Sequence, residues 1–148
     1  MTGIQMTIRL LISVGLCLVA NALQANGQEK YFHAGDVRLH YSVLGEGSPV
    51  VLVHGFTSSG ATWQQSGIAQ TLAARHRVLL LDARGHGQSD KPHSSNAYGE
   101  RMASDVIALL DHEGVSQAHL VGYSMGGLLT LKAITLAPQR FVSAVVGG

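Results

Sequence analysis

The sequence has one cysteine, Cys17, three prolines and only 13% charged residues, and its formal net charge is +1. Each shortage excludes something. A single cysteine allows no internal disulfide, so stability must come from an ordinary core. At 148 residues and 46% hydrophobic composition the chain can bury one, as a single domain. The near-neutral charge recommends neither nucleic acid nor an anionic membrane as a partner. Histidine is not scarce, but the eight residues are scattered, with no HxxH spacing and no Cys/His cluster, so no metal site is read. Internal repeats, low-complexity tracts and linkers are also missing.

Long apolar runs are absent too. The stretch from Leu10 to Ala20 is too short for a comfortable membrane span. It follows a lone charge, Arg9, and leads into "VANALQAN", where Ala20 and Ala22 give an A-x-A pattern. That is the layout of a secretory signal peptide. The expectation is a cleaved signal at 1–22, a short extension at 23–30 and a mature domain at 31–148, with an uncleaved N-terminal anchor as the alternative. Such a protein is secreted or periplasmic, with no stable membrane association after cleavage. Leu16, directly before Cys17, is too bulky for a lipoprotein signal. Cleavage removes Arg9 and Cys17, leaving a mature domain with no formal net charge and no thiol.

Strand patterns alternate with helix patterns along the rest. Val37, Leu39, Tyr41 and Val43 alternate with polar residues, which predicts a half-exposed antiparallel strand near a sheet edge. "VVLV" (50–53), "VLLL" (78–81), "HLV" (119–121) and "VSAVV" (142–146) are apolar without alternation, as strands covered on both faces would be. Between them, helical spacing is read from Trp63 to Arg75, from Tyr98 to Glu113 and from Met125 to Leu136. The second of these carries Met102, Val106 and Leu110 on one stripe, with Asp105 among the charges placed elsewhere. The third is apolar almost all round, which predicts a helix buried between a sheet and other helices. The order of elements predicts an α/β fold with a mostly parallel, doubly wound sheet.

"GYSMG" (122–126) fits G-x-S-x-G, between a predicted strand and a predicted helix. A serine hydroxyl is a weak nucleophile unless it is lifted out of the strand to meet a base. A tight strand-to-helix turn lifts it but crowds the neighbouring backbone. Glycines at 122, 126 and 127 relieve that crowding, and the helix start turns unpaired N–H groups towards developing negative charge. Taken alone, the pentapeptide fits a glycine-rich turn without chemistry equally well.

Two further segments break that tie. "HGF" (54–56) follows "VVLV", and "DARGHGQS" (82–89) follows "VLLL". With the serine turn, these three motifs stand in the order and at the strand ends found in the alpha/beta-hydrolase family, which the chain resembles from about Tyr31 to Gly148. The resemblance implies that Ser124 is the nucleophile and that the backbone N–H groups of Phe56 and Met125 form the oxyanion hole. It implies acyl chemistry on a small ester or related acyl compound, without a cofactor. Members with an aspartate nucleophile, the dehalogenases and epoxide hydrolases, fit poorly because position 124 is serine. Cofactor-free haloperoxidases and carbon–carbon bond hydrolases share the serine elbow and remain alternatives. "GEGSPV" (45–50) is a partial dinucleotide fingerprint that precedes a strand instead of following one, so no Rossmann site is read.

The other polar residues of these motifs are expected to be structural. His54 shapes the oxyanion loop, His86 packs within its glycine loop, Asp82 braces that loop and Arg84 ties neighbouring loops together. Trp63 is placed either in the core or against a pocket. In the family the acid and the histidine that complete the triad come after the sixth strand or later, and no residue here matches them. Two readings follow. In the first, the 148 residues are the front part of an exported serine hydrolase and are inactive alone. In the second, they are a non-catalytic fold acting by binding or by pairing with another chain.

Overall fold

A computed structural model describes residues 27–148. The expected signal peptide and the first half of the extension lie outside the described residues. Six strands form one sheet: β1 (Gln28–Ala34), β2 (Val37–Leu44), β3 (Ser48–Val53), β4 (His76–Leu81), β5 (Ala118–Tyr123) and β6 (Phe141–Gly147), in the order β1-β2-β4-β3-β5-β6. The pairs β3–β4, β3–β5 and β5–β6 are parallel, whereas β2 runs antiparallel to both β1 and β4. Four α-helices connect them: α1 (Ala61–Gln65), α2 (Ile68–Ala73), α3 (Glu100–His112) and α4 (Met125–Leu136).

The unbroken apolar texture of the central strands has a direct cause. Val51, Val53, Leu79 and Leu81 pack on one face of the sheet with Val106, Leu109 and Leu110 of α3 and Leu129 and Ala133 of α4. Their neighbours Val50, Leu52, Val78 and Leu80 point to the other face, against Ala69, Leu72 and Trp63 of the α1–α2 segment. Because side chains alternate across a strand, a sheet covered on both faces needs apolar residues at every position. Each fully buried Val or Leu contributes about 1.5–3 kcal/mol.

Four expectations need correction. β1 begins at Gln28, so the sheet reaches into the span read as an extension. β2 is antiparallel and second from the sheet edge, as expected, but β1 covers its outer side and its polar residues His40 and Ser42 are buried rather than exposed. The helix expected from Trp63 to Arg75 is two helices, because Gly67 at φ 77° takes the left-handed conformation that ends α1. Finally, α4 is not buried all round: Leu128, Leu131 and Leu136 are exposed, as are Val142, Val145 and Val146 of edge strand β6.

β3 lies at the centre of the sheet because β4 is laid down on one side of it and β5 on the other. Loops leaving the C-terminal ends of β3 and β5 diverge there, and such a switch point is where open α/β sheets form their binding crevices. The register puts Val53 beside both Leu81 and Gly122, and Tyr123 beside Gly147. The three motif segments therefore meet at one end of the sheet.

Candidate active site

Ser124 sits between β5 and α4 with φ 51° and ψ −115°, a conformation costly for any residue with a side chain. The surroundings enforce it. Its N–H donates to the Gly147 carbonyl at 2.7 Å, and its own carbonyl accepts from the Leu128 N–H at 3.1 Å. Below it the backbone is packed so tightly that only glycine fits. A Cβ at Gly122 would stand 2.1 Å from the Gly126 oxygen, and one at Gly126 would stand 2.1 Å from the Val53 oxygen. The serine itself is exposed at the top of this turn.

Facing it is the loop after β3. A Cβ at Gly55 would lie 3.6 Å from the Ser124 Cβ, so the two segments are in contact. Among the described residues, neither the Phe56 nor the Met125 amide has a hydrogen-bond acceptor. Phe56 is 71% exposed, and Met125 is the first residue of α4, where the N–H groups lack intrahelical partners. Two open amides thus flank an exposed serine, as an oxyanion-binding site requires.

His54 is buried, and both ring nitrogens are engaged. Nδ1 donates to the Gly55 carbonyl at 2.7 Å, while Nε2 accepts from the Ala83 N–H at 3.1 Å. Burial holds its pKa below the ordinary value, which suits the neutral tautomer those bonds demand. It clamps the β3 loop to the β4 loop and has no lone pair left to act as a base. The His86 ring packs 5.2 Å from that of His54 and 5.5 Å from that of Phe56, with Nδ1 donating to the Arg84 carbonyl at 3.1 Å. Among the described residues, no histidine nitrogen lies within hydrogen-bonding distance of the Ser124 Oγ.

Asp82 braces two loops at once. Its carboxylate accepts from the Gly60 N–H at 2.7 Å, the Gln88 N–H at 2.8 Å and the His40 Nδ1 at 2.9 Å. Burial opposes its charge, but these donors outweigh burial and hold the carboxyl below the usual carboxylate range. His40 is held in turn between Asp82 and Glu29. Burial works against the imidazolium, yet the two carboxylates raise its pKa overall. Sequence reasoning missed both Glu29 and His40, because the strand carrying Glu29 went unread.

Arg84 ties loops together as expected. It makes a two-pronged pair with Asp105 at 2.7 and 2.5 Å and donates to the Ala97 carbonyl at 2.6 Å. Asp105, expected among the surface charges of its helix, is buried against this guanidinium. The bidentate contact keeps Arg84 charged and raises its pKa despite burial. Trp63 fills both places proposed for it. It packs on the core beneath α1 and also lines a cleft of about 240 Å³ beside the β3 loop.

Among the described residues, no group of three or more His, Cys, Asp or Glu side chains converges as a metal ion would need. No helix among them is long and apolar enough to cross a membrane.

Comparison with known proteins identifies the family. A family model described as alpha/beta hydrolase fold matches residues 48–147. The chain is 40% identical over 125 residues to the dihydrolipoyllysine-residue acetyltransferase component of the acetoin cleaving system of Pseudomonas putida, covering 84% of this chain and 33% of that protein. It is 35% identical over 105 residues to bifunctional epoxide hydrolase 2 of Sus scrofa, covering 70% of this chain and 19% of that one. Among solved structures, an epoxide hydrolase variant from Vigna radiata superposes with a TM-score of 0.76 at 27% identity, over 81% of this chain and 38% of that one. The chain spans less than half the length of these curated relatives. It belongs to the alpha/beta hydrolase fold family.

Proposed function

We propose that the chain is the nucleophile-bearing part of an exported serine hydrolase acting on a carboxylic ester or a related acyl compound. The observation that carries this is Ser124 itself: an exposed hydroxyl on a strained turn, enforced by Gly122 and Gly126 and flanked by two open amides. In the reaction the Ser124 Oγ attacks the acyl carbon, forming a C–O bond and an oxyanion. The amides of Phe56 and Met125 would receive that charge, and each such donor is worth on the order of 100- to 1,000-fold in rate. Collapse breaks the bond to the alcohol, which leaves with a proton. Water then attacks the acyl-serine and frees the acid.

A general base must take the serine proton in the first step and return it to the alcohol. With no such group beside Ser124 among the described residues, the 148 residues alone are expected to be essentially inactive. An aspartate nucleophile would suit epoxides, and serine at 124 favours acyl compounds over them. The test is hydrolysis of p-nitrophenyl acetate and of styrene oxide by the protein as its cells produce it. Ester cleavage reduced on the order of 10⁴-fold or more by Ser124→Ala supports the reading. Epoxide turnover that survives Ser124→Ala contradicts it.

A further inference from the structure

The loop from His54 to Gly60 carries the Phe56 amide, and its backbone is strained. Thr57, directly after Phe56, has φ 58°, a left-handed conformation that a β-branched residue keeps only when its surroundings enforce it. Enforcement comes from both ends of the loop. At its start the His54 Nε2 accepts from the Ala83 N–H at 3.1 Å, and at its finish the Gly60 N–H donates to the Asp82 Oδ1 at 2.7 Å. Both anchors belong to consecutive residues after β4, with Phe56 and Thr57 strung between them.

What holds the second anchor lies farther away. The other Asp82 oxygen, Oδ2, accepts from the Gln88 N–H at 2.8 Å and from the His40 Nδ1 at 2.9 Å. The Asp82 N–H donates to the His40 carbonyl at 3.0 Å, so β2 fixes both backbone and side chain. On the far side of the ring the His40 Nε2 donates to Glu29 of β1, whose carboxylate also accepts from the Ser42 hydroxyl at 3.0 Å. A carboxylate on each side keeps a proton on each ring nitrogen, and so keeps an N–H aimed at Asp82. Without Glu29, burial would favour a neutral ring. Protonated on Nε2 alone, that ring would turn a lone pair towards the Asp82 carboxylate.

We propose that His40 and Glu29 are positioning residues for the Phe56 amide, acting through the Asp82 carboxylate and the Gly60 N–H. The role rests on the reading of Phe56 as an oxyanion donor in acyl chemistry at Ser124. Neither residue touches a reacting atom. Glu29 stands on the edge strand β1, with three strands between it and β5, which leads into the serine. An oxyanion donor acts on charge that exists only in the transition state. Slack in its loop therefore lowers kcat and leaves substrate binding nearly unchanged.

The experiment joins ester kinetics to residue-resolved amide hydrogen exchange, on the protein as its cells produce it and on its Glu29→Ala and His40→Gln variants. The Glu29 side chain is half exposed, so Glu29→Ala tests the relay even where the buried His40→Gln change fails to fold. On p-nitrophenyl acetate, kcat should fall about threefold or more in Glu29→Ala and about tenfold or more in His40→Gln, with KM held within about twofold. Exchange at Gly60 and Gln88 should quicken about tenfold in Glu29→Ala, while the amides of α3 keep their rates. Quickening spread evenly into α3 would mark a role in stability alone and overturn the assignment. An unchanged kcat in both variants, or a loss carried by KM, overturns it too. Local quickening at Gly60 in a protein that cleaves no ester would keep the tether and end the hydrolase reading. Ester cleavage with kcat and Gly60 exchange both unmoved would end the positioning role alone.

Discussion

A Cβ built on Gly126 would stand 2.1 Å from the carbonyl oxygen of Val53. The first turn of α4 is thereby pressed against the end of β3, and the serine turn is brought up to the loop carrying Phe56. Both the strain at Ser124 and its exposure depend on this approach.

Gly126→Ala should consequently destabilise the fold by about 1–3 kcal/mol, because the obstacle is backbone and cannot rotate away. Gly122→Ala should cost a similar amount, its Cβ meeting the Gly126 oxygen at 2.1 Å. Gly67→Ala meets nothing within 4 Å and should cost only the strain of a positive φ, about 1 kcal/mol. Urea-unfolding midpoints of the three variants check the ranking.

The Arg84–Asp105 pair is buried on both sides. Removing one partner strands the other, so Arg84→Met should cost about 3–5 kcal/mol. The double variant Arg84→Met/Asp105→Leu should recover most of that loss. A double-mutant cycle in urea measures the coupling, and additivity of the two single losses would contradict it.

Stability should depend on pH through His40 and Asp82. His40 has a raised pKa in the fold, so its contribution is fully present below its ordinary value of 6.5 and is lost as pH rises through the raised value. Asp82 has a lowered pKa, so its contribution is present above its ordinary value of 3.8 and is lost as pH falls through the lowered one. Unfolding midpoints should decline on the alkaline side, from pH ~6.5 upward, and His40→Gln should flatten that limb. An unchanged alkaline limb in the variant would count against the His40 bridge.

Leu128 and Leu131 of α4 and Val142, Val145 and Val146 of β6 are large apolar residues left exposed, and β6 pairs only β5 among the described residues. Surface of this kind, next to an open strand edge, promotes association between chains. The 148 residues alone should self-associate at micromolar concentration, and Val145→Lys should reduce this. Light scattering against concentration decides it.

The parallel core of this fold was legible in the sequence because burial on both faces writes an unbroken apolar run, as in Val50–Val53 and Val78–Leu81. The Ser124 turn was legible because close backbone packing demands glycine at 122 and 126, whatever lies elsewhere. β1 was not, since its residues "QEKYFHA" bury mainly Phe32 and carry no clear alternation. The burial of His40, Ser42 and Asp105 also escaped notice. Each is a polar residue whose partner, Glu29, Asp82 or Arg84, is distant in sequence, and periodicity records only which positions are apolar. Gly67 could have been read as a helix stop, because glycine commonly ends helices in its left-handed conformation.

Whether Ser124 is the nucleophile is read most directly from the intact mass and peptide map of the protein from the cells that make it, after reaction with a fluorophosphonate. One phosphonyl adduct is expected, on Ser124, in a chain that begins after Ala22, and no adduct in Ser124→Ala. An adduct on another residue, or none under conditions that fully label a known serine hydrolase, would contradict it.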